Sequence, residues 1–167
     1  MSTYTVRRGE PADLPAITAL YNHYIEHSVA TFDYDPFTVE ERRAWFAQFG
    51  KNPRHLIFVA DGPDGLAGYA YALQVRDRAA YRASVETTIY IGPDIPRRSG
   101  VGRLLYAALF DELKAQGVHR AYAVITIPND ASVAFHQAFG FQEIGRMNEV
   151  GYKCGRYHDV IWMEKKL

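Results

Sequence analysis

Residues 97–102 read Arg-Arg-Ser-Gly-Val-Gly and stand directly before a helical pattern. Glycine lets a ligand approach the backbone closely, and the first N–H groups of a helix have no partner within the helix. The helix dipole and the two arginines add positive charge, so this spacing predicts an anion site suited to a pyrophosphate. A tight strand-to-helix turn that binds nothing explains the same residues equally well.

Two other phosphate-binding motifs are excluded at this position. A Walker loop requires Gly-Lys-Ser/Thr, whereas Arg103 and Leu104 follow Gly102. A dinucleotide fingerprint requires a small residue at position 105, where Leu105 stands. The loop therefore favours neither a nucleoside triphosphatase nor an NAD enzyme.

Glu86 is the carboxylate best placed for proton transfer. It lies in a strand-like run, Val85–Ile91, directly after an arginine-rich loop. A carboxylate there could take a proton from an amine, directly or through water, and could attract a cationic substrate. An ion pair with Arg76, Arg78 or Arg82 is the structural alternative.

Three histidines and the only cysteine are also candidates for chemistry. His136 lies in a short predicted helix, where an imidazole could donate a proton or could be a satisfied structural residue. His23 and His27 have a spacing that can hold a metal, but no third ligand accompanies them and we predict no metal site. Cys154 excludes an intrachain disulfide, and the absence of a paired base argues against nucleophilic catalysis.

Apolar spacing and turn residues predict the elements that carry these groups. Residues 17–25 have a helical period, and Thr38 with Glu41 forms a capping box before a second helix. An Asp-Gly-Pro-Asp-Gly hairpin joins strand-like runs at residues 56–60 and 68–73. The long helix that follows Gly100 and Gly102 has a predicted buried stripe of Leu104, Leu105, Ala108, Leu109 and Leu113, and ends at Gly117.

The second half continues with a strand at residues 121–127 and a short helix at residues 132–139. The tail, residues 141–164, holds two strands separated by a loop around Gly151 and Gly155. With a short first strand predicted at residues 6–8, the order is β-α-α-β-β-β-α-β-α-β-β. It predicts one domain, residues 1–167, of the α/β class, with a central mixed sheet flanked by helices on both faces.

Composition limits the partners. Lys plus Arg equals Asp plus Glu at 19 each, and a net charge of zero argues against a dedicated nucleic-acid binder. The apolar run at residues 104–110 is far shorter than the ~18 residues of a membrane span, and no apolar leader is evident near the first residue. We therefore expect a cytoplasmic protein that binds neither nucleic acid nor membrane.

The loop at residues 97–102 resembles the Arg/Gln-x-x-Gly-x-Gly/Ala signature of the GNAT superfamily of acyl-CoA-dependent N-acetyltransferases. Residues 125–132 and 135–141 are similar to the second half of that fold. Residues 85–91, residues 128–132 with His136, and residues 155–160 resemble one branch of the superfamily. This branch contains phosphinothricin and methionine sulfoximine acetyltransferases and is also described as L-amino acid N-acyltransferases.

The resemblance implies that acetyl-CoA lies in a wedge between two splayed parallel strands. The backbone of Ile89, Tyr90 and Ile91 would pair with the pantetheine amides. Asn129 would bond the same arm, cap the next helix, or do both. The pyrophosphate would be held by Arg97, Arg98, Ser99, Gly100, Val101 and Gly102.

On the acceptor side, the resemblance favours Glu86 and His136 as catalytic residues, with His136 standing where many members have a Tyr. Arg76, Arg78 and Tyr81 precede Glu86, and guanidinium groups bind carboxylates bidentately. Phe32 could add an apolar wall. For these last four residues a solvated loop or ordinary core is the alternative.

These features predict an enzyme that transfers acetyl from acetyl-CoA to the α-amine of a small amino acid or analogue. The amine would attack directly in a ternary complex, and the resembled branch implies a homodimer. Two alternatives remain open at the level of sequence. The chain could act on protein N-termini, lysines or polyamines, or it could be a CoA-binding module without catalysis.

Overall fold

A computed structural model describes residues 4–167 and contains one mixed sheet with helices on both faces. The strands are β1 Thr5–Arg8, β2 Leu56–Gly62, β3 Gly65–Gln74, β4 Ser84–Ile91, β5 Arg120–Ile127, β6 Gln142–Lys153 and β7 Arg156–Lys166. The α-helices are α1 Leu14–His27, α2 Val39–Phe46, α3 Val101–Ala115 and α4 Asp130–Ala138. Short 3-10 turns at Pro11–Asp13 and Ala79–Tyr81 precede α1 and β4. The predicted fold class and element order are confirmed.

The strand order across the sheet is β1-β2-β3-β4-β5-β7-β6. Every neighbouring pair is antiparallel except β4 and β5, which run parallel because helix α3 connects them as a crossover. The parallel pair is very short. Residues 84–86 of β4 pair with residues 120–122 of β5, whereas β4 continues alongside β3 as far as Ile91. The sheet is therefore split into two halves beyond Glu86.

The two faces of the sheet carry separate cores. Leu105, Leu109 and Leu113 of α3 are fully buried against one face, as the helical period predicts. Leu104 is 37% exposed, so its place in the predicted stripe is wrong, because it lies at the solvent edge of the helix. On the opposite face, Ile17 of α1 packs with Tyr69 and other buried side chains of the sheet.

Local signals set the ends of several elements. The Thr38 hydroxyl accepts from the Glu41 amide at 3.3 Å while the Glu41 carboxylate accepts from the Thr38 amide at 2.7 Å, which confirms the capping box. The loop predicted around Gly151 and Gly155, between the last two strands, is shorter in the structure. β6 continues through Gly151 with a register irregularity, and the turn to β7 lies at Cys154 and Gly155. No helix of the described residues is long and apolar enough to cross a membrane.

Candidate active site

The free edge of β4 beyond Glu86 faces the split in the sheet. Just after β4, Gly92 N donates to Ala67 O of β3 at 2.8 Å. Because successive residues of a strand point their backbone groups to opposite edges, Tyr90 is paired with β3, and Ile89 and Ile91 face the split. The structure thus supports Ile89 and Ile91 as backbone partners for an extended ligand. It contradicts Tyr90, whose backbone is already used by the ladder.

One of these groups is already engaged. The Tyr24 hydroxyl of α1 donates to Ile91 O at 2.8 Å. A pantetheine amide N–H would therefore share this carbonyl with Tyr24, which fixes the end of β4 against α1. The Ile89 groups have no such competitor among the described residues.

The loop before α3 has the geometry of an anion-binding turn. Arg98 and Gly100 both have left-handed backbone, with φ of 63° and 89°, and the helix starts at Val101. This conformation turns successive N–H groups toward one side, as in known anion-binding nests. The Arg97 and Arg98 side chains form no hydrogen bond or ion pair with any residue that the structure describes, so their charge is available to a ligand.

Gly102 has a packing reason to be glycine. A β-carbon at this position would lie 3.2 Å from Phe135 Cε2 and 3.6 Å from Ile89 Cδ1. The first turn of α3, the ring of Phe135 on α4 and the free edge of β4 therefore meet at one point. Both predicted halves of the cofactor site, the turn and the strand edge, are neighbours in the fold.

Asn129 lies at the beginning of α4. Its Oδ1 accepts from Ser132 N at 3.2 Å, which is the helix-capping contact. Its Nδ2 donates to no residue of the described chain, so the amide keeps a donor for a ligand. The cap and a ligand contact are compatible.

Glu86 lies where β4 and β5 separate. Its side chain is on the α1 face of the sheet, the same face as those of Thr88 and Tyr90. No cation of the described chain pairs with it, which removes the ion-pair alternative. Burial raises the pKa of Glu86 above the ordinary glutamate value. A half-buried, unpaired carboxylate with a raised pKa suits a general base.

His136 is held in a buried network. Only 3% of its surface is exposed. Its Nδ1 lies 2.8 Å from Ser132 O and its Nε2 lies 2.9 Å from the Tyr106 hydroxyl. Burial lowers the pKa of His136, which favours the neutral form of the ring. These contacts do not support His136 as the acid that protonates a leaving thiolate, because both nitrogens are occupied within the core.

The loop between α1 and α2, residues 28–37, crosses the split on the α1 face, and we call it the strap. At its α1 side, the Tyr21 hydroxyl bonds to Thr31 Oγ1 at 2.8 Å and donates to the Asp33 carboxylate. At its other side, the Phe32 ring packs directly on Gly151 of β6, where a β-carbon would overlap it at 2.1 Å. The strap therefore connects the two halves of the sheet.

Tyr71 of β3 is subject to the negative charges of both Glu86 and the strap residue Asp33. Burial raises the pKa of Tyr71 most, and the negative charges of Glu86 and Asp33 raise it further. Tyr71 lies directly opposite Thr88 in the β3–β4 ladder. Sequence reasoning missed Asp33, because nothing in the linear pattern ties this strap residue to β4. Phe32 packs on Gly151 and lies near His158, with ring centroids 6.2 Å apart, and its role as an apolar wall for the acceptor stays a prediction.

The loop before β4 carries Arg76, Arg78 and Tyr81 in exposed positions. The Gln74 side chain donates to Arg76 O and, at 2.9 Å, to Arg78 O, which fixes the backbone of the loop. The three predicted side chains bond to no other residue that the structure describes. They therefore form no ion pair or hydrogen bond with Glu86, and they are exposed rather than part of the core.

The remaining candidates lie away from the split. His23 and His27 stack with their ring centroids 4.5 Å apart, and His27 Nδ1 lies 3.0 Å from His23 O. The described residues contain no group of three or more His, Cys, Asp or Glu that could hold a metal. Cys154 is exposed in the β6–β7 turn.

Comparison with known families places this geometry in a class. The family model for the acetyltransferase (GNAT) domain matches residues 6–162. The chain therefore belongs to the GNAT acetyltransferase family, and residues 97–102 carry the signature loop.

Similar proteins narrow the class. Phosphinothricin N-acetyltransferase of Streptomyces coelicolor is 46% identical, covering 97% of this chain and 95% of that protein. The L-methionine sulfoximine/L-methionine sulfone acetyltransferase of Pseudomonas aeruginosa is 32% identical, covering 98% of this chain and 94% of that protein. The crystal structure of a phosphinothricin acetyltransferase from Sinorhizobium meliloti in complex with AcCoA superimposes with a TM-score of 0.92. Its sequence is 36% identical, and the match covers 99% of this chain and 89% of that chain. The predicted resemblance to this branch is confirmed.

Proposed function

We propose that this chain transfers the acetyl group of acetyl-CoA to the α-amine of a small amino acid or amino-acid analogue. The observation that carries this proposal is the position of Glu86. Its carboxylate, which pairs with no cation of the described chain, lies where the sheet splits, on the face that helix α1 covers. A base at that point can meet an amine from the strap side and a thioester from the edge side.

The reaction balances with this one base. Glu86 accepts a proton from the substrate ammonium, directly or through water, and the free amine attacks the carbonyl carbon of the thioester. The carbon–sulfur bond then breaks, and the nitrogen loses its second proton to the CoA thiolate. Protonation of the leaving group by His136 is not required, and His136 instead holds α4 to α3 through Tyr106.

Acetyl-CoA is the proposed acyl donor. The Sinorhizobium meliloti relative was solved in complex with AcCoA, which supports the same donor for this fold. Coenzyme A carries hydrogen-bond donors and acceptors that complement the backbone and side-chain groups of the site. Its pyrophosphate suits residues 97–102, and its pantetheine amides suit Ile89, Ile91 and Asn129 Nδ2.

The acceptor class is inferred from relatives and from charge. The names of the Streptomyces and Pseudomonas relatives specify phosphinothricin and methionine sulfoximine or sulfone. Such molecules carry an α-ammonium, which suits the carboxylates of Glu86 and Asp33, and an α-carboxylate. Arg76 and Arg78 are the proposed carboxylate partners because their guanidinium groups are exposed and unpaired within the described chain.

An acetyl-CoA consumption assay tests the function directly. The acceptor panel contains L-methionine sulfoximine, L-methionine sulfone, phosphinothricin, proteinogenic amino acids, a polyamine and a peptide with a free N-terminus. We expect turnover with the small α-amino acids and none with their N-acetylated forms. Turnover confined to the peptide or the polyamine would replace the proposed acceptor class, and CoA binding without any turnover would indicate a binding module.

We further propose direct transfer without an acyl-enzyme. Cys154, the only thiol of the sequence, lies exposed in the β6–β7 turn, and among the described residues no hydrogen bond joins it to a base that could activate it. Cys154→Ala should leave kcat unchanged, and initial-rate plots at varied acceptor should intersect. Parallel plots, or acetyl recovered on the protein after incubation with acetyl-CoA alone, would favour a covalent intermediate.

A second copy of this chain is the proposed partner of β6. This strand pairs with β7 along one edge and leaves the other edge free, with Ile144 51% and Val150 50% exposed. Free edges and clustered apolar side chains are features of subunit contacts. Sedimentation should give a dimer that Ile144→Lys dissociates. We place the protein in the cytoplasm, because an exposed single thiol suits a reducing compartment.

A further inference from the structure

Lys153 at the end of β6 is a buried cation without a carboxylate partner. Its exposed fraction is 5%, and none of the ion pairs of the described chain includes it. A buried ammonium is costly unless its hydrogen bonds are made, and an apolar side chain of similar size is often as stable or more so. The charge at this position therefore calls for a reason other than stability.

The hydrogen bonds of Lys153 supply that reason. Its Nζ donates to Ile25 O at 2.8 Å and to Thr31 O at 2.8 Å. Ile25 lies in the last turn of α1, where unpaired carbonyls and the negative end of the helix dipole favour a cation. Thr31 belongs to the strap. One ammonium thus joins the end of α1, the strap and strand β6.

This contact crosses the split in the sheet. Helix α1 packs on β3 and β4, whereas β6 belongs to the half formed by β5, β7 and β6. The two halves are joined within the sheet by only three residue pairs, at residues 84–86 and 120–122. A second hydrogen bond also joins the strap to β6: the Tyr34 hydroxyl donates to Tyr152 O.

The residues held by this contact border the proposed acceptor space. Phe32 and Asp33 directly follow Thr31. The Asp33 carboxylate accepts from the Tyr21 hydroxyl, and the Tyr21 ring lies 5.4 Å from the ring of Tyr90, on the same face of β4 as Glu86. The free edge of β4 and the loop at residues 97–102 are not part of this set of contacts. No residue of the strap bonds to Ile89, Ile91 or residues 97–102 within the described chain, so we expect a shift of the strap to act on the acceptor more than on acetyl-CoA.

We propose that Lys153 is a positioning residue that holds the strap over Glu86 and thereby sets the fit of the amino-acid acceptor. This inference rests on the proposed function for its kinetic consequence. Its structural part, a strap fixed by a buried ammonium, does not depend on any activity.

The matched control is Lys165 on β7. Its Nζ donates to Phe139 O just beyond the end of α4, so Lys165→Met also removes an ammonium–carbonyl bond at a helix end, but it leaves the strap intact. Tyr34→Phe is the second variant. It removes only the hydroxyl that reaches Tyr152 O, and the ring of Tyr34 is 64% exposed, so the fold is retained.

Kinetics of the purified protein test the positioning role. We expect Lys153→Met to raise the KM for the acceptor by about tenfold, which corresponds to about 1.4 kcal/mol, with the KM for acetyl-CoA unchanged. Tyr34→Phe should raise the acceptor KM in the same direction by a smaller factor, and Lys165→Met should leave it unchanged. Equal effects of Lys153→Met and Lys165→Met, or an equal rise in both KM values, would overturn the proposal.

Hydrogen–deuterium exchange without any ligand separates this inference from the proposed function. We expect faster exchange of the amides of residues 28–37 in Lys153→Met and in Tyr34→Phe, and unchanged exchange there in Lys165→Met. If the wild-type protein shows no acetyl transfer but this pattern appears, the function fails while the strap contact stands. Unchanged exchange in both strap variants overturns the inference, whatever the activity.

Discussion

The Tyr106 hydroxyl of α3 donates to Nε2 of His136 on α4 across 2.9 Å of fully buried core. The direction of this bond follows from the other side of the ring. Nδ1 lies 2.8 Å from Ser132 O, and because a carbonyl can only accept, Nδ1 carries the proton. Burial also lowers the pKa of His136 and so favours the neutral ring, in which Nε2 is the acceptor and the Tyr106 hydroxyl is the donor.

Removing the Tyr106 hydroxyl tests this assignment. In Tyr106→Phe, Nε2 of His136 stays buried and loses its donor, which costs about 1–3 kcal/mol. We expect the free energy of unfolding in urea to fall by that amount. Phe110 on the same face of α3 is the comparison, since Phe110→Leu changes packing without touching a hydrogen bond. Tyr106→Phe with wild-type stability would contradict the assigned hydrogen bond.

The role of His136 in turnover follows from the same contacts. We expect His136→Gln to lower kcat by well under the ~10²-fold that loss of a general acid costs. The measurement is kcat at saturating concentrations of both substrates, checked against the fraction of folded protein. A loss of ~10²-fold or more in folded protein, with a matching change in the alkaline limb of the pH profile, would restore the acid role.

Glu86→Gln keeps the shape of the side chain and removes its basicity. We expect kcat to fall by ~10²-fold or more, with the affinity for acetyl-CoA unchanged by calorimetry. Because burial raises the pKa of Glu86, the acidic limb of the wild-type profile of kcat/KM should lie above the ordinary glutamate value of 4.5. The exposed Glu26→Gln is the control. Wild-type kcat in Glu86→Gln at every pH would leave water as the proton acceptor.

The same variant has a stability signature with a definite sign. The pKa of Glu86 is raised in the fold, so the folded chain binds this proton more tightly than the unfolded chain. Its favourable contribution is complete below the unfolded-state pKa and is lost as the pH rises through the folded-state pKa. The stability of the wild type relative to Glu86→Gln should therefore decrease from acidic to neutral pH in urea unfolding. A difference that grows with pH would contradict the burial of an unpaired carboxylate.

Gly102→Val tests the junction of the loop, α3 and α4. The added side chain meets the Phe135 ring at 3.2 Å or less, which displaces the first turn of α3 or the ring. We expect the KM for acetyl-CoA to rise about tenfold or more, with the KM for the acceptor unchanged. Ala107→Val introduces the same side chain on the exposed face of α3 and should be neutral. Calorimetry with CoA that gives the same affinity for both variants would refute the proposed pyrophosphate site.

Arg78→Ala separates recognition from chemistry. A carboxylate clamp is made in the ground state and the transition state alike, so its loss raises KM and spares kcat. We expect the acceptor KM to rise about tenfold. Arg82→Ala removes the same charge from the same loop and should have a much smaller effect. Equal effects of the two variants would mean that the loop acts by its overall charge.

Most of the fold could be predicted because its signals are local. The capping box at Thr38, the hairpin after β2 and the start of α3 each depend on residues a few positions apart. The contacts that complete the site are not local. Lys153 and Ile25 are 128 positions apart, and the strap meets β6 at a register irregularity that no periodicity reveals.

The parts of the site in which a local motif fixes the backbone could be predicted from the sequence. The parts that depend on which distant side chains and strands pack together could not. The turn at Gly100 and the cap at Asn129 follow from sequence alone. The occupied nitrogens of His136 depend on Tyr106 from another helix. The direction of the Tyr90 backbone depends on the register of β3 against β4. Both are set by how distant segments pack.

The open edge of β4 also bears on how the protein must be handled. An unpaired strand edge is a template for any extended chain, including a loosened segment of a neighbouring molecule. Ile89 and Ile91 add apolar side chains to that template. Bound coenzyme A would cover the edge and so prevent another chain from pairing with it. Protein purified and stored with coenzyme A should stay monodisperse longer than protein kept without it.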